Sequence, residues 1–160
     1  MTARFRPAAD LHMRARAAAA YPHEGCGILL GTLVPTDGPG LAAQVTEAIE
    51  GRNLVTDRRH DRYELDPGDI VRADQRARGR GEEIVGFYHT HPDHPARPSQ
   101  FDADHAWAGY LYVVIAVHQG RVVEATAWAF DEAAHRFDPI PMVQEPADSG
   151  GDRAPSDRAG

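Results

Sequence analysis

The stretch from Glu83 to Asp102 constrains this chain more than any other. Glu83 to His91 reads as a strand that runs into His89-Thr90-His91-Pro92, and Ser99 then opens a short helix. Between them Pro92, Pro95 and Pro98 force an extended loop, because none of the three can donate a ladder hydrogen bond. Residues two apart on a strand share a face and stand about 7 Å apart at the backbone, so His89 and His91 present both imidazoles to one side.

Other segments have equally local signals. Pro7 to Ala20 is Ala-rich, opens on Pro and closes before Pro22, which predicts a helix. Cys26 to Val34 is an apolar run that ends in the breakers Pro35, Asp37, Gly38, Pro39 and Gly40, as a buried strand and an exposed turn would. A second strand follows, with Ala43, Val45, Glu47 and Ile49 alternating with Gln44, Thr46 and Ala48. Asp66 caps a helix that begins with Pro67, carries Ile70, Ala73 and Ala77 on one face, and ends near Gly79 or Gly81. Tyr110 to Val117 and Val122 to Phe130 flank Gln119-Gly120 as a hairpin, and Phe137 to Val143 makes a last strand. Beyond it no apolar residue exceeds Ala, so residues 144–160 are expected to be a disordered tail. Mixed strands and helices in this order predict an α+β fold, a mixed β-sheet flanked by helices.

Length and charge narrow the classes. A chain of 160 residues supports one domain that hides about two-thirds of its unfolded surface. The net charge of −7 argues against a grip on phosphate backbones, so nucleic acid is not an expected partner. All 17 bases are Arg, which removes Lys nucleophiles and Schiff bases. A lone Cys26, an Arg-containing amino terminus and no apolar run long enough to span a bilayer point to a reducing cytoplasm and away from membranes.

Two imidazoles and one carboxylate form the ligand set of a catalytic zinc site, whose fourth position stays open. Asp102 lies one turn into the short helix, but Asp93 and Asp104 are also within reach of the loop, and local reasoning does not choose among them. Each piece has a plainer reading. His-x-His on a strand is commonly surface decoration or packing, and Ser99 with Asp102 forms a capping box. Two His and a carboxylate also make the triad of non-haem iron oxygenases, although no Glu follows His91 at a cupin spacing. Cys26 is expected to be a small buried hydrophobe, and His23, His94 and His105 ordinary histidines, with His105 a candidate to face the metal indirectly. Trp107, Trp128 and Phe130 are assigned to the core, and Arg58, Arg59, Arg78 and Arg80 to a solvated surface.

His89-Thr90-His91-Pro92, six intervening residues, then Ser99 and Asp102 resemble the metal motif of the JAMM (MPN+) metalloproteases. The upstream glutamate of that family matches Glu24, within Pro22-His23-Glu24-Gly25-Cys26-Gly27. Asn53, Arg62-Tyr63-Glu64-Leu65-Asp66-Pro67 and Gly86-Phe87-Tyr88 resemble the small prokaryotic members, and the likeness spans Leu11 to Phe137. The resemblance implies a cytidine-deaminase-like three-layer fold over residues 1–143 and one Zn2+ per chain held by His89, His91 and Asp102. It implies Glu24 as general acid/base and Ser99 as the oxyanion-stabilising hydroxyl. The implied activity is that of a peptidase or isopeptidase. It removes cysteine or a short peptide from a ubiquitin-like sulfur-carrier protein with a Gly-Gly carboxyl terminus. The family also contains metal-free interaction scaffolds and peptidases acting on cell-wall peptides, and a homodimer is compatible with the one-sided apolar faces.

Overall fold

The computed structural model describes residues 1–55 and 62–146. In chain order the elements are β1 (Thr2–Phe5), α1 (Pro7–Ala20), β2 (Cys26–Pro35), β3 (Leu41–Gly51), α2 (Pro67–Arg78), β4 (Glu83–Pro92), α3 (Gln100–Asp104), β5 (Leu111–His118), β6 (Arg121–Asp131), β7 (Arg136–Ile140) and β8 (Met142–Gln144). Capping chemistry sets several of these limits. Pro7 and Pro67 take the first turns of α1 and α2, where a missing N–H costs nothing, and the Asp66 carboxylate accepts from the Gly68 N–H at 2.9 Å. Gln119 and Gly120 both take positive φ, the twist a two-residue hairpin needs, and join β5 to β6.

The strands form one mixed eight-stranded sheet in the order β7-β6-β5-β4-β2-β3-β1-β8. α1 covers one face through Ala9, Met13 and Ala17, packed with Phe5, Leu29, Val45, Tyr88, Val113 and Ile115. On the opposite face α2 and α3 pack Ala73, Ala77 and Ala103 against Ile28, Leu30, Phe87, Tyr112 and Phe130. This is the expected sheet flanked by helices. Among the described residues no helix is long and apolar enough to cross a membrane.

Two one-residue bulges decide which way the central strands point, because a slip of one residue turns every later side chain to the other face. On β3 the register against β2 jumps across Thr46. Ala43, Val45 and Ala48 therefore face α1, whereas Ile49 packs on the α2 side, where Glu47 meets Arg76 and Arg80. That corrects the single alternation expected over Ala43 to Ile49. On β4 the jump falls at Val85, so Phe87 joins the α2 and α3 face while Tyr88 joins the α1 face. Continuing the alternation carries His89 and His91 towards α3.

Two short strands lacked a clear local signal. β1 has four residues and finds its place only as a parallel strand between β3 and β8. The expected last strand is divided at Pro141: β7 pairs with β6, and β8 crosses to pair with β1 at the other edge. Gln144, placed at the start of the expected tail, ends β8, while residues from 147 onward lie outside the described residues, as do Arg58 and Arg59. Arg78 and Arg80 are surface residues in ion pairs with Asp74 and with Glu47 and Glu82.

Gly27 faces the Tyr88 ring so closely that a Cβ there would overlap both the ring and the Ile49 carbonyl oxygen. Gly27→Ala is expected to destabilise the fold by about 1–3 kcal/mol through overpacking, read as a lower urea midpoint at unchanged slope.

Candidate metal centre

Glu24 follows α1 in the connection to β2, and its position is fixed by backbone pairing on both sides. The Gly25 N–H donates to Thr90 Oγ1 at 2.8 Å, and the Thr90 N–H donates to the Gly25 carbonyl at 2.9 Å. Thr90 points away from the faces of His89 and His91, so this pairing sets Glu24 beside the two imidazoles. Cys26 then sits opposite His89 in the β2–β4 register.

Ser99 caps α3. Its hydroxyl oxygen accepts from the Asp102 N–H at 3.1 Å, while Asp102 Oδ2 accepts from the Ser99 N–H at 2.7 Å. That reciprocal box turns the Asp102 carboxylate inward. Oδ2 lies 3.0 Å from His89 Nε2 and 3.4 Å from His91 Nε2, and the two imidazole nitrogens are 3.2 Å apart. With a carboxylate oxygen of Glu24, these atoms all lie within 4.8 Å of one another, and Glu24, His89 and Asp102 are buried.

The arrangement fits a divalent ion. Donors about 2.0–2.1 Å from a tetrahedral ion stand about 3.3–3.4 Å from one another, which matches the three separations among His89, His91 and Asp102. His91 Nδ1 lies 2.9 Å from the Pro95 carbonyl, which can only accept, so a neutral ring carries its proton there and turns the Nε2 lone pair to the cluster. The His89 ring stacks on Tyr63 with centroids 4.6 Å apart. Burial pushes the Asp102 carboxyl up, but the facing His89, hydrogen bonds with both imidazoles and the Ser99 N–H outweigh it and hold the group below the usual carboxylate range. Burial pulls His91 down, and its contacts with Asp102 and the Pro95 carbonyl more than restore it, leaving its pKa raised. A charged carboxylate beside two ring nitrogens that can each offer a lone pair once freed of a proton is a ready cation site.

Of the three candidate acids, the structure brings only Asp102 to the histidines. Asp93 is exposed and accepts from the Tyr21 hydroxyl and the Gln119 N–H, and Asp104 is exposed and faces His135. His23, His94 and His105 are exposed and outside the cluster; His105 stacks on Phe101 and its Nδ1 lies 2.8 Å from the Phe101 carbonyl. Cys26 is buried, and that burial pushes its thiol up to about 12, so it stays neutral. Trp107 departs from expectation. It is 56% exposed and rims an apolar cavity of about 620 Å³ beside Asp102, with Tyr63, Leu65 and Phe87 in its walls.

Asn53 was legible only as part of a family likeness, and its role is now structural. Its side-chain amide donates to the carbonyls of Glu24 and Arg62, both at 3.1 Å, and its oxygen accepts from the N–H groups of Val55 and Glu64. All four hydrogen-bonding positions of the amide are used. Asn53→Ala should therefore loosen the Glu24 segment, costing about 1–3 kcal/mol of stability in a urea titration.

Comparison with known proteins agrees with the site. Residues 8–131 match the family described as prokaryotic homologs of the JAB domain. A desampylase of Haloferax volcanii is 37% identical over 122 residues, 76% of this chain and 81% of that protein. The solution structure of a protein from Salinibacter ruber superposes with a TM-score of 0.67 at 36% identity, covering 92% of this chain and 94% of its own. A protein from Desulfitobacterium hafniense shares the fold, with a TM-score of 0.74 at 24% identity and coverage of 92% and 96%. With its His, Asp and Glu cluster assembled on that fold, the chain belongs to the prokaryotic JAB-domain family and is a JAMM-type hydrolase.

Proposed function

We propose that this chain is a zinc-dependent amide hydrolase that cleaves the bond after the Gly-Gly carboxyl terminus of a ubiquitin-like protein, a sulfur carrier or SAMP-type modifier. The observation that carries the proposal is the convergence of Glu24, His89, His91 and Asp102 within 4.8 Å. The likeness to a desampylase supports a ubiquitin-like substrate.

In this reading His89, His91 and Asp102 hold one zinc ion and Glu24 is the proton carrier. The ion supplies Lewis acidity and makes water nucleophilic near neutral pH. Glu24 takes a proton from the attacking water as the water oxygen bonds to the carbonyl carbon. It delivers that proton to the amine nitrogen as the C–N bond breaks. Ser99 Oγ already accepts from the Asp102 N–H, which leaves its own hydrogen free to donate to the carbonyl oxygen as negative charge grows there. Capping and catalysis therefore use different halves of one hydroxyl. The apolar cavity beside Asp102 suits the extended tail that leads to the scissile bond.

A carrier with a carboxyl-terminal extension should be cut by the zinc-loaded protein, not after chelation, and again on adding zinc back. Glu24→Gln should lower kcat by about 10²–10⁴ while keeping the zinc content of the wild type. Ser99→Ala should lower kcat by about 10²–10³ and cost about 1 kcal/mol of stability; a stability loss alone would leave Ser99 as a cap and nothing more. If the zinc-loaded chain cuts no ubiquitin-like carrier, whether extended or conjugated, the proposal fails.

A further inference from the structure

A second recess, of about 330 Å³, is lined by Glu24, His91, His94, Pro95, Arg97 and Ser99. It shares no lining residue with the apolar cavity. Under the proposed reaction, on which this inference rests, it is the leaving side, because Glu24 has to reach the departing nitrogen in order to protonate it.

Arg97 is exposed at this recess and has no acidic partner among the described residues. Arg76 and Arg80 converge on Glu47, Arg78 meets Asp74 and Arg52 meets Asp66; Arg4, Arg6, Arg62 and Arg121 also lack an ion pair to an acid among the described residues, but of these arginines it is Arg97 that lines the recess. A guanidinium that makes no ion pair among the described residues, exposed at the recess, is available to a ligand. Its backbone is also held. Ala96 is fully buried against Val114 and Ala116, and its carbonyl accepts from Thr126 Oγ1 at 2.6 Å. The Arg97 N–H donates to the Pro95 carbonyl at 2.8 Å, the same carbonyl that orients His91, and Pro98 fixes the backbone that follows. The loop that aims an imidazole into the cluster therefore also fixes where the guanidinium starts.

We infer that Arg97 is a specificity residue that receives a carboxylate on the departing fragment. The planar guanidinium fork pairs with a carboxylate through two parallel hydrogen bonds, which a point charge such as Lys cannot reproduce. A carboxylate on the departing fragment in this recess is the free α-carboxylate of a released residue or dipeptide, or an acidic side chain just after the cut. Either one makes the enzyme selective among leaving groups, favouring anionic extensions over a neutral amine.

The test uses the full-length zinc-loaded protein and three dipeptides, Ala-Ala, Ala-Ala carboxamide and Ala-Asp carboxamide, with binding read by calorimetry. Ala-Ala or Ala-Asp carboxamide should bind about tenfold or more tighter than Ala-Ala carboxamide. That preference should disappear in Arg97→Gln and return in part in Arg97→Lys. The preferred partner tells the α-carboxylate from the acidic side chain. The same extensions fused to a Gly-Gly-ended carrier should show the same ratio in kcat/KM, chiefly through KM. Equal affinities, no measurable binding of any dipeptide, or a preference that survives in Arg97→Gln overturns the assignment. Because binding is read without turnover, failure of the wild type to cut any carrier counts against the proposed reaction and leaves the dipeptide result to decide Arg97.

Discussion

The antiparallel pairing of β2 with β4 is the constraint on which the site depends. Through it Gly25 is locked to Thr90 and Cys26 is set opposite His89, so the carboxylate before β2 reaches the imidazoles at the end of β4. The pairing carries a one-residue slip at Val85. Without it the alternation begun at Ile84 would turn His89 and His91 towards α1, away from Asp102. Close approach makes the pairing workable: Gly27 leaves room for the Tyr88 ring, and Gly86 leaves room for the backbone of Leu111.

Burying ionisable groups is costly unless their hydrogen bonds are met, and the structure meets several of them with elements that also build the fold, although the buried His89 Nδ1 has no partner among the described residues. The Asp102 carboxylate accepts from the Ser99 N–H within the capping box that starts α3. The His91 ring is oriented by the carbonyl of Pro95, whose loop is anchored one residue later by buried Ala96. Asn53 ties the Glu24 carbonyl to the segment that precedes α2. The groups that would do chemistry are thus aimed by backbone contacts that the sheet and helices require for their own stability.

The surroundings of that cluster are unequal. One side is apolar, with Tyr63, Leu65, Phe87 and Trp107 around the cavity next to Asp102. The other brings the ionisable and polar side chains of His94, Arg97 and Ser99 beside Glu24. The two recesses share no lining residue, and residues of the cluster line both: Asp102 the first, Glu24 and His91 the second.

Local signals in the sequence determined a good deal: the starts of α1 and α2 at Pro7 and Pro67, the Gln119-Gly120 hairpin, the cap at Ser99, and the shared face of His89 and His91. Each rests on interactions between residues a few positions apart, so a single stretch of chain contains the information. Beyond the motif resemblance that named Glu24 and Asp102, local signals did not join Glu24 to His89 across 65 positions or choose Asp102 over Asp93 and Asp104; the tertiary structure brought those side chains together, and it alone decided that the β3 alternation breaks at Thr46 and that β1 and β8 pair at the sheet edge. Strand register and bulge position are properties of a contact between two segments. Neither segment specifies them before the partner strand supplies its hydrogen bonds and its packing surface.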